Sequence, residues 1–333
     1  MIILVGDIGG THSRIAYYDV ENGQLDFLVE EIYPSVDYTG LDAIVRDFVA
    51  THGARSGLAC FAVAGPVRNG QVRTTNLPWI VDASELAREG SLKSVSLIND
   101  LEAIAYAVDV LQPKDLATLN EGDAKAAGNM AVVAAGTGLG EAGLYWDGVR
   151  HRPFACEGGH TDFAATDDLQ DELLRHLRAQ FGHVSWERLV CGPGLLNIYN
   201  FLRDVRHGHE PDWLRLEMEQ GDPATQITRH GIEGRSPLCI QALDLFVSLY
   251  GNEAGNLALK IMATGGVYLG GGIAPKIIGK LRGSSFFRAF CTKGRMSDLL
   301  QAMPIRVILN DAAGLLGAAH CAALKTPHPS GEH

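Results

Sequence analysis

The sequence predicts a two-domain α/β fold in which a mixed sheet flanked by helices occurs twice. The first observation is a pair of glycine-rich turns, in Val5–Ile15 and in Ala135–Gly140, each between two apolar segments with strand character. The second is the alternation of strand-like and helix-like segments after the first turn. The third is length, since 333 residues with 46% hydrophobic residues can fill two cores.

The first half begins with an antiparallel meander and continues with alternating strands and helices. The Asn22-Gly23 pair is typical of a hairpin turn. A helix is predicted over Gly40–His52, where apolar residues recur at helical spacing. The predicted strands are Met1–Val5, Ser13–Tyr18, Asp26–Glu30, Ala59–Ala64 and Ser94–Ile98, and a second helix spans Leu101–Leu111.

The second half repeats the meander. Met130–Ala134 is a predicted strand, and aromatic residues after Gly140 lead to the two-residue hairpin signal Asp147-Gly148. The Asp, Gly and Lys content of Pro113–Asn129 predicts a linker. Further along, we expect surface helices and loops over Val205–Pro237, a strand at Ile305–Leu309 and a helix over Asp311–Leu324.

The domain boundaries follow from this alternation. The small residues of the last helix permit close packing, so we expect it to return to the first half. The predicted domains are residues 1–111 with 302–324 (small), residues 112–301 (large), and a disordered tail at 325–333.

Both glycine turns are candidate phosphate cradles. Without Cβ atoms, glycines let backbone N–H groups converge on an anion and let the chain approach it closely. A dinucleotide-binding turn is not indicated, because Glu141 occupies the last glycine position of G-x-G-x-x-G and a strand follows; a Walker A motif is absent. The expected nucleotide-binding residues are Gly6, Asp7, Ile8, Gly9, Gly10, Thr11, Gly136, Thr137 and Gly138.

Composition excludes several classes of protein. Lys and Arg total 28 and Asp and Glu total 39, a net charge of −11 without a basic run, so we expect no nucleic-acid partner. The chain starts in a strand, and no apolar run reaches the about 18 residues of a membrane span, so we expect a soluble, cytoplasmic protein without a membrane partner. Its six cysteines lack C-x-x-C spacing, which predicts reduced thiols.

Three groups of polar residues are candidates for chemistry, and each has a structural alternative. Asp7 could hold Mg²⁺ through water beside the first turn, or could only stabilise that turn. Asn99 and Asp100 follow a buried strand, where ligands bind in open α/β sheets, but they also suit a helix N-cap. Glu157 and His160 suit vicinal sugar hydroxyls, or belong to a surface turn.

Four segments in this order carry a family resemblance that covers nearly the whole chain. They are Asp7-Ile8-Gly9-Gly10-Thr11, Ile98-Asn99-Asp100, Cys156–Phe163 and Ala263–Ile273. Together they resemble the bacterial ATP-dependent glucokinases of the proteobacterial and cyanobacterial type, within the actin, hexokinase and Hsp70 superfamily. The resemblance implies the actin-like ATPase (ribonuclease H-like) fold, with an active-site cleft between the two domains.

The resemblance also implies roles for individual residues. Asp100 would take the proton from the 6-hydroxyl of glucose, and Asp7 would hold Mg²⁺ near ATP. The expected sugar ligands are Asn99, Asp100, Glu157, His160, Glu187 and Asn76, and the glycine run at Gly265 and Gly266 would lie against adenosine. Sugar kinases of the wider ROK group place zinc-binding cysteines just beyond the Cys156–Phe163 segment, whereas no cysteine lies between Cys156 and Cys191 here, so the resemblance implies no structural zinc. A homodimer that acts in glycolysis is also implied.

Other functions remain open at this point. Sugar specificity depends on contacts that one sequence cannot rank, so a kinase for another hexose or an amino sugar is an alternative. A non-catalytic sugar sensor would need a DNA-binding module, which we expect before the first strand and do not find there. In an actin-like filament protein, the polar segments at Asn99 and Glu157–His160 would have no purpose.

Overall fold

The computed structural model describes residues 1–21, 24–75, 77–90 and 92–325. These form two compact units. The first contains Met1–Gln112, Pro153–Ala155 and the segment that begins at Asn310; the second contains Pro113–Arg152 and Cys156–Leu309. The Asn22-Gly23 turn pair, Asn76 and residues 326–333 of the predicted tail lie outside the described residues.

The first unit is built on a five-stranded sheet in the order β3-β2-β1-β4-β7. β1 pairs antiparallel with β2 and parallel with β4, and β4 pairs parallel with β7. The elements are β1 (Ile2–Ile8), β2 (His12–Glu21), β3 (Gln24–Pro34), α1 (Leu41–His52), β4 (Leu58–Val63), β5 (Gln71–Arg73), β6 (Ile80–Asp82), α2 (Ala83–Glu89), β7 (Ser94–Asn99) and α3 (Asp100–Val108). The predicted strands and helices of this half are therefore confirmed.

The second unit is built on a six-stranded sheet in the order β11-β10-β9-β12-β13-β8. Its strands are β8 (Leu116–Asn120), β9 (Met130–Ala135), β10 (Leu139–Trp146), β11 (His151–Cys156), β12 (Gly266–Gly270) and β13 (Ile305–Ile308). Its helices are α4 (Asp168–Phe181), α5 (Gly192–Asp204), α6 (Asp212–Gln220), α7 (Pro223–Ile232), α8 (Pro237–Ile261), α9 (Ile278–Leu281), α10 (Ser284–Cys291) and α11 (Ser297–Gln301).

Two local predictions in the second half were wrong. Pro113–Asn129 is not simply a linker, because it contains β8, which pairs antiparallel with β13 and completes the sheet. The hairpin between β10 and β11 spans Asp147–Arg150 rather than two residues. There the Asp147 carboxylate accepts hydrogen bonds from the backbone N–H groups of Val149 and Arg150, each at 2.9 Å.

Burial explains why the central strands are almost continuously apolar. On one side of the first sheet, β1 and β4 pack with α1, whose Leu41, Ile44 and Phe48 are buried. On the other side they pack with α3 and the last helix, α12 (Ala313–Lys325). A strand covered on both faces has no solvent-facing positions, so alternation disappears.

The last helix lies in the first unit, whereas residues 302–309 belong to the second. α12 packs closely on α3, because Gly317 has no side chain: an added Cβ would overlap the backbone oxygen of Ala103. Lys325 belongs to this helix, so the predicted tail starts one residue too early. Within the described residues, no helix is both long and apolar enough to span a membrane.

Candidate active site

The first glycine turn joins β1 to β2 and is fixed by one backbone hydrogen bond within the turn and by one from the side chain of Ser35. The N–H of Gly9 donates to the carbonyl of His12 at 3.0 Å, and the Ser35 hydroxyl donates to the carbonyl of Gly9 at 2.8 Å. The Thr11 side chain at the tip is exposed. The turn therefore has a defined shape while its tip stays open to solvent.

Asp7 lies at the end of β1, opposite Arg14 in the β1–β2 register. Desolvation raises the pKa of the Asp7 carboxyl to about 6, although the Arg14 charge opposes the shift. Gly314 in α12 faces this carboxylate, and a Cβ there would lie 2.5 Å from its Oδ2 atom. The fold thus leaves room for a half-buried carboxylate that is ionised at neutral pH.

Asn99 and Asp100 lie at the same edge of the first sheet as the glycine turn. The register aligns Ile8 of β1 with Val63 of β4, and Val63 with Asn99 of β7. Two strand spacings of about 4.8 Å therefore separate the ends of β1 and β7. Asp100 is the first residue of α3 and is half-buried.

Asn99 has the capping role that the sequence offered as an alternative. Its Oδ1 accepts hydrogen bonds from the N–H groups of Leu101 (2.9 Å) and Glu102 (3.3 Å), and its Nδ2 donates to the carbonyl of Gly65 at 3.2 Å. Its amide thus fixes the start of α3 relative to the end of β4. That arrangement holds the Asp100 backbone in place.

The second glycine turn joins β9 to β10. The N–H of Gly136 donates to the carbonyl of Gly138 at 2.9 Å, and the N–H of Gly192 donates to the carbonyl of Gly136 at 2.9 Å. Thr137 is exposed at the tip. A Cβ added at Gly136 would have no neighbour within 4 Å, so the chain itself does not require glycine there.

The two ends of β12 differ in their distance from the second turn. Gly266 pairs with Met130 and Gly270 with Ala134, so the start of β12 lies about 13 Å from the turn end. Gly265 and Gly266 are buried at that distant end, and a Cβ on Gly265 would lie 2.6 Å from the carbonyl of Gly128. Packing explains Gly265, and the φ of +135° explains Gly266, where an added Cβ would come no closer than 3.4 Å to its neighbours.

Gly271 and Gly272 lie beside the second turn instead, and they were missed as individual residues. Gly271 has a φ of +77° and packs against the backbone of Ala135, whose carbonyl also accepts the N–H of Ile273 at 3.2 Å. Gly272 is exposed, and a Cβ there would meet no atom within 4 Å. The strand register places them there, and one-dimensional spacing carries no such signal.

The structure brings Glu157, His160 and Glu187 together. His160 lies 3.9 Å from Glu157, measured from Nε2 to Oε2, and 3.9 Å from Glu187, measured from Nδ1 to Oε1. Glu157 precedes a 3₁₀ turn and His160 is the last residue of that turn; their side chains are mostly exposed, at 65% and 60%. This group of three polar side chains, the polar triplet, presents two carboxylates and an imidazole to solvent.

Backbone pairing accounts for this meeting of residues far apart in sequence. Phe163 N–H donates to the carbonyl of Val184 at 2.9 Å, and Trp186 N–H donates to that of Thr161 at 3.1 Å. Glu187 also accepts from the N–H of Leu139 through Oε2 at 3.0 Å. Glu187 therefore joins the polar triplet to the second glycine turn, a link that sequence reasoning did not find.

Comparison with known proteins assigns the family. The glucokinase family model matches residues 4–325. The chain is 41% identical over 338 residues to the curated glucokinase of Nostoc sp. strain PCC 7120, covering 97% of this chain and 99% of the relative. The chain belongs to the glucokinase family. The family predicted from the four sequence segments is thus confirmed.

Solved structures agree with this assignment. A glucokinase from an Antarctic psychrotroph superposes with a TM-score of 0.84 at 34% identity, covering 97% of this chain and 99% of that one. A ROK family glucokinase from Streptomyces griseus, crystallised with glucose and AMPPNP, gives a TM-score of 0.64 at 19% identity, covering 97% of this chain and 100% of that one. The chain therefore has the predicted actin-like ATPase fold.

Proposed function

We propose that this glucokinase transfers the γ-phosphoryl group of MgATP to the 6-hydroxyl of glucose, giving glucose 6-phosphate and ADP. The near full-length match to a curated glucokinase at 41% identity carries the proposal. The nucleotide is part of it because the Streptomyces griseus glucokinase was crystallised with AMPPNP, an ATP analogue.

Asp100 is the proposed general base. It lies at the start of α3, where the parallel strands β1, β4 and β7 end, and α/β folds bind ligands at such strand ends. A positioned base gives about 10²- to 10⁴-fold in rate, which is roughly 3 to 5 kcal/mol, whereas alignment of bound reactants contributes about 7–11 kcal/mol. The larger part of the acceleration therefore comes from alignment, and Asp100 accepts the hydroxyl proton late in transfer.

The two glycine turns are the proposed phosphate-binding elements. Their tips are open to solvent, and their glycines permit close approach of backbone N–H groups to phosphate oxygens. Gly271 and Gly272, beside the second turn, replace Gly265 and Gly266 as the proposed contact with adenosine. An exposed Gly272 with no neighbour around its missing Cβ suits a flat ligand lying on the backbone.

Asp7 is the proposed magnesium ligand, through water. The described residues contain no group of three or more His, Cys, Asp or Glu side chains arranged to hold a metal ion. A single half-buried carboxylate beside a phosphate-binding turn fits Mg²⁺, which keeps several waters and is held by one or two carboxylates and the nucleotide's phosphates. When bound, the ion neutralises charge on the transferred group. We propose no structural zinc.

The polar triplet and Asn99 are the proposed sugar ligands. Carboxylates accept hydrogen bonds from sugar hydroxyls, and the imidazole either donates or accepts, so the triplet can distinguish vicinal hydroxyls. Asn76 is proposed as a further contact, although it lies outside the described residues. Because few contacts fix hexose choice, a kinase for another hexose or an amino sugar is the second candidate.

A coupled assay of ADP release tests the proposal. With glucose present we expect turnover, and without sugar we expect only slow hydrolysis of ATP. A panel of mannose, fructose, galactose and glucosamine, compared by kcat/KM, separates glucose from the second candidate. Equal or greater kcat/KM for another sugar would assign the enzyme to that sugar instead.

We further propose a homodimer that acts in the cytoplasm, where ATP is available and glucose 6-phosphate enters glycolysis. Light scattering coupled to size exclusion tests the assembly, since the chain mass is 35.8 kDa. A scattering mass equal to one chain would exclude the dimer at that concentration.

A further inference from the structure

Two buried carboxyl groups in the second unit have no role in the proposed reaction. Glu141 on β10 is 1% exposed and Glu253 on α8 is 0% exposed. Within the part of the chain that the structure describes, neither side-chain oxygen of Glu141 has a hydrogen-bond partner, and the Oε1 atom of Glu253 also lacks one. A buried polar atom without a partner is costly, so these oxygens call for a physical explanation.

The charged groups around this carboxyl pair compensate Glu253 more directly than Glu141. Lys260 Nζ lies 3.6 Å from Glu253 Oε1, and Asn256 Nδ2 donates to Glu253 Oε2 at 2.8 Å. The Lys293 ammonium donates to the carbonyl of Asn252 at 3.0 Å and to Asn256 Oδ1 at 2.7 Å. The titratable or charged groups that act on Glu141 or Glu253 are Tyr250 and Lys260 of α8, Cys156 of β11 and Lys293.

Glu141 is therefore the carboxyl of this pair whose neutral form is favoured. Burial raises the pKa of the Glu141 carboxyl to about 8, and the Glu253 carboxylate adds to this shift, while Lys260 opposes it. The phenol of Tyr250 is committed to the carbonyl of Val133, to which it donates at 3.0 Å. A neutral carboxyl is the form of Glu141 that burial beside a second carboxyl group favours.

The neutral carboxyl packs directly beneath the turn that carries two of the proposed sugar ligands. A Cβ added to Gly158 would overlap the Glu141 carboxyl group, with its Cδ atom at 2.7 Å. Gly159 is equally tight, because its Cβ would overlap the carbonyl of Leu139. The backbone between Glu157 and His160 thus rests on β10, with the Glu141 carboxyl as part of that support.

We propose that Glu141 is a positioning residue for the sugar, which holds the Gly158 turn in place through a protonated carboxyl. Burial raises the pKa of the Glu253 carboxyl as well, but the hydrogen bond from Asn256 and the charge of Lys260 favour its ionised form. Loss of the Glu141 proton therefore puts a second negative charge beside Glu253 in a buried site. The new charge needs water, and the Gly158 turn lies against the carboxyl, so hydration displaces the turn. The sugar part of this inference rests on the proposed function.

The pH dependence of the KM for glucose tests the role. In the natural protein, KM rises above pH about 8, by up to about tenfold per pH unit for one ionising group. The KM for ATP stays flat. Glu141→Gln cannot ionise and keeps a polar group of the same size, so it retains the neutral-pH KM and removes the rise. Glu219→Gln, on the exposed surface of α6, is the matched control and keeps the rise.

A glucose KM that does not change with pH in the natural protein, or an unchanged rise in Glu141→Gln, would overturn the positioning role.

A steric test is independent of titration. Gly158→Ala alone raises the glucose KM because its Cβ collides with Glu141, and adding Glu141→Ala removes the obstacle. Because Glu141→Ala also removes support from the turn, the comparison is a double-mutant cycle: Gly158→Ala should raise the glucose KM less in the Glu141→Ala background than in the natural protein, and equal rises in the two backgrounds would contradict the contact.

Thermal unfolding separates this inference from the proposed function. A carboxyl with a raised pKa in the folded state gives a contribution to stability that is present below its unfolded pKa and is lost as pH rises toward about 8. The melting temperature of the natural protein should therefore fall relative to Glu141→Gln between pH about 4.5 and about 8.

If the protein phosphorylates no sugar, the proposed function fails, while the melting curves still report the proton on Glu141. If the melting curves of the two proteins run parallel, the protonated carboxyl is excluded whatever the activity.

Discussion

An Asn-Asp pair stands between a strand and a helix at two places in the chain, and the two pairs differ in their surroundings. β7 leads through Asn99 and Asp100 into α3, and β13 leads through Leu309 to Asn310 and Asp311, just before α12. In both places the asparagine Oδ1 accepts the N–H of the residue two positions on, at 2.9 Å. In both places the asparagine side chain therefore stabilises the connection between a strand and the following helix.

The two aspartates have different surroundings. Asp311 is 91% exposed and lies 3.7 Å from Arg14, measured from its Oδ2 to Nη1. Asp100 is half-buried and aligned with the first glycine turn through β1 and β4. The Asn-Asp pair by itself thus indicates only a connection between a strand and a helix. The position of each aspartate in the sheet then decides which carboxylate is a candidate for catalysis.

Replacing each of these two aspartates by asparagine should give the largest difference in kcat. Asp100→Asn should lower kcat by about 10²- to 10⁴-fold and leave the KM for glucose within a few-fold, because the amide cannot accept the proton. Asp311→Asn should change kcat little, since an exposed ion pair contributes at most about 1 kcal/mol. Steady-state kinetics on both variants measures the contrast. Near-normal turnover of Asp100→Asn would remove this residue from the role of base.

The end of β1 gives the next largest effect. Asp7→Asn removes the carboxylate proposed to hold Mg²⁺ through water, so the Mg²⁺ concentration for half-maximal rate should rise about 10- to 100-fold. Titration of activity with Mg²⁺ at fixed ATP measures the change. EDTA should abolish the activity of both proteins. An unchanged magnesium requirement in Asp7→Asn would limit Asp7 to the turn itself.

Much of the fold could be predicted because its signals are local. The helical spacing of Leu41, Ile44 and Phe48, and the glycine turns between apolar strands, each depend on neighbouring residues only. β8 was missed because all of its residues except the buried Ala117 are half-buried at the edge of the sheet, so they show neither an apolar run nor clear alternation.

The arrangement of the candidate site was less predictable, because it depends on register and on long-range pairing. The link from Glu187 to the Leu139 N–H joins residues 48 positions apart, and no spacing rule reports it. In the glycine run, sequence could not separate Gly265, which packing requires, from Gly272, which packing does not. Glu141 was noted only as the residue that broke a dinucleotide motif, since one sequence does not show which strand residues are buried.

Two glycines of the second turn, Gly136 and Gly138, should respond differently to replacement by alanine. Gly136→Ala adds a Cβ that meets nothing in the chain, so the melting temperature should not change. If phosphate lies against this backbone, the Cβ costs about 1–3 kcal/mol, equivalent to a rise in the KM for ATP of about fivefold or more.

Gly138→Ala should behave differently from Gly136→Ala, because its Cβ would lie 2.5 Å from Glu187 Oε2 and displace a proposed sugar ligand. We expect the KM for glucose to rise in Gly138→Ala and to stay unchanged in Gly136→Ala. Kinetics with each substrate varied in turn makes the comparison. An unchanged KM for ATP in Gly136→Ala would argue against a phosphate at that turn.

The two asparagines give the smallest expected effect. Asn99→Ala loses the cap of α3, worth about 1 kcal/mol, and the hydrogen bond to the carbonyl of Gly65, worth about 1 kcal/mol more. Asn310→Ala loses the one hydrogen bond to Ala312 N–H that its side chain makes in the described structure, so its cost should be about half as large. With about 2–4 °C per kcal/mol, thermal unfolding resolves the difference. Because Asn99 is also a proposed sugar ligand, only Asn99→Ala should raise the KM for glucose; an equal rise in both variants would show that the strand-to-helix connection acts on the sugar through the fold alone.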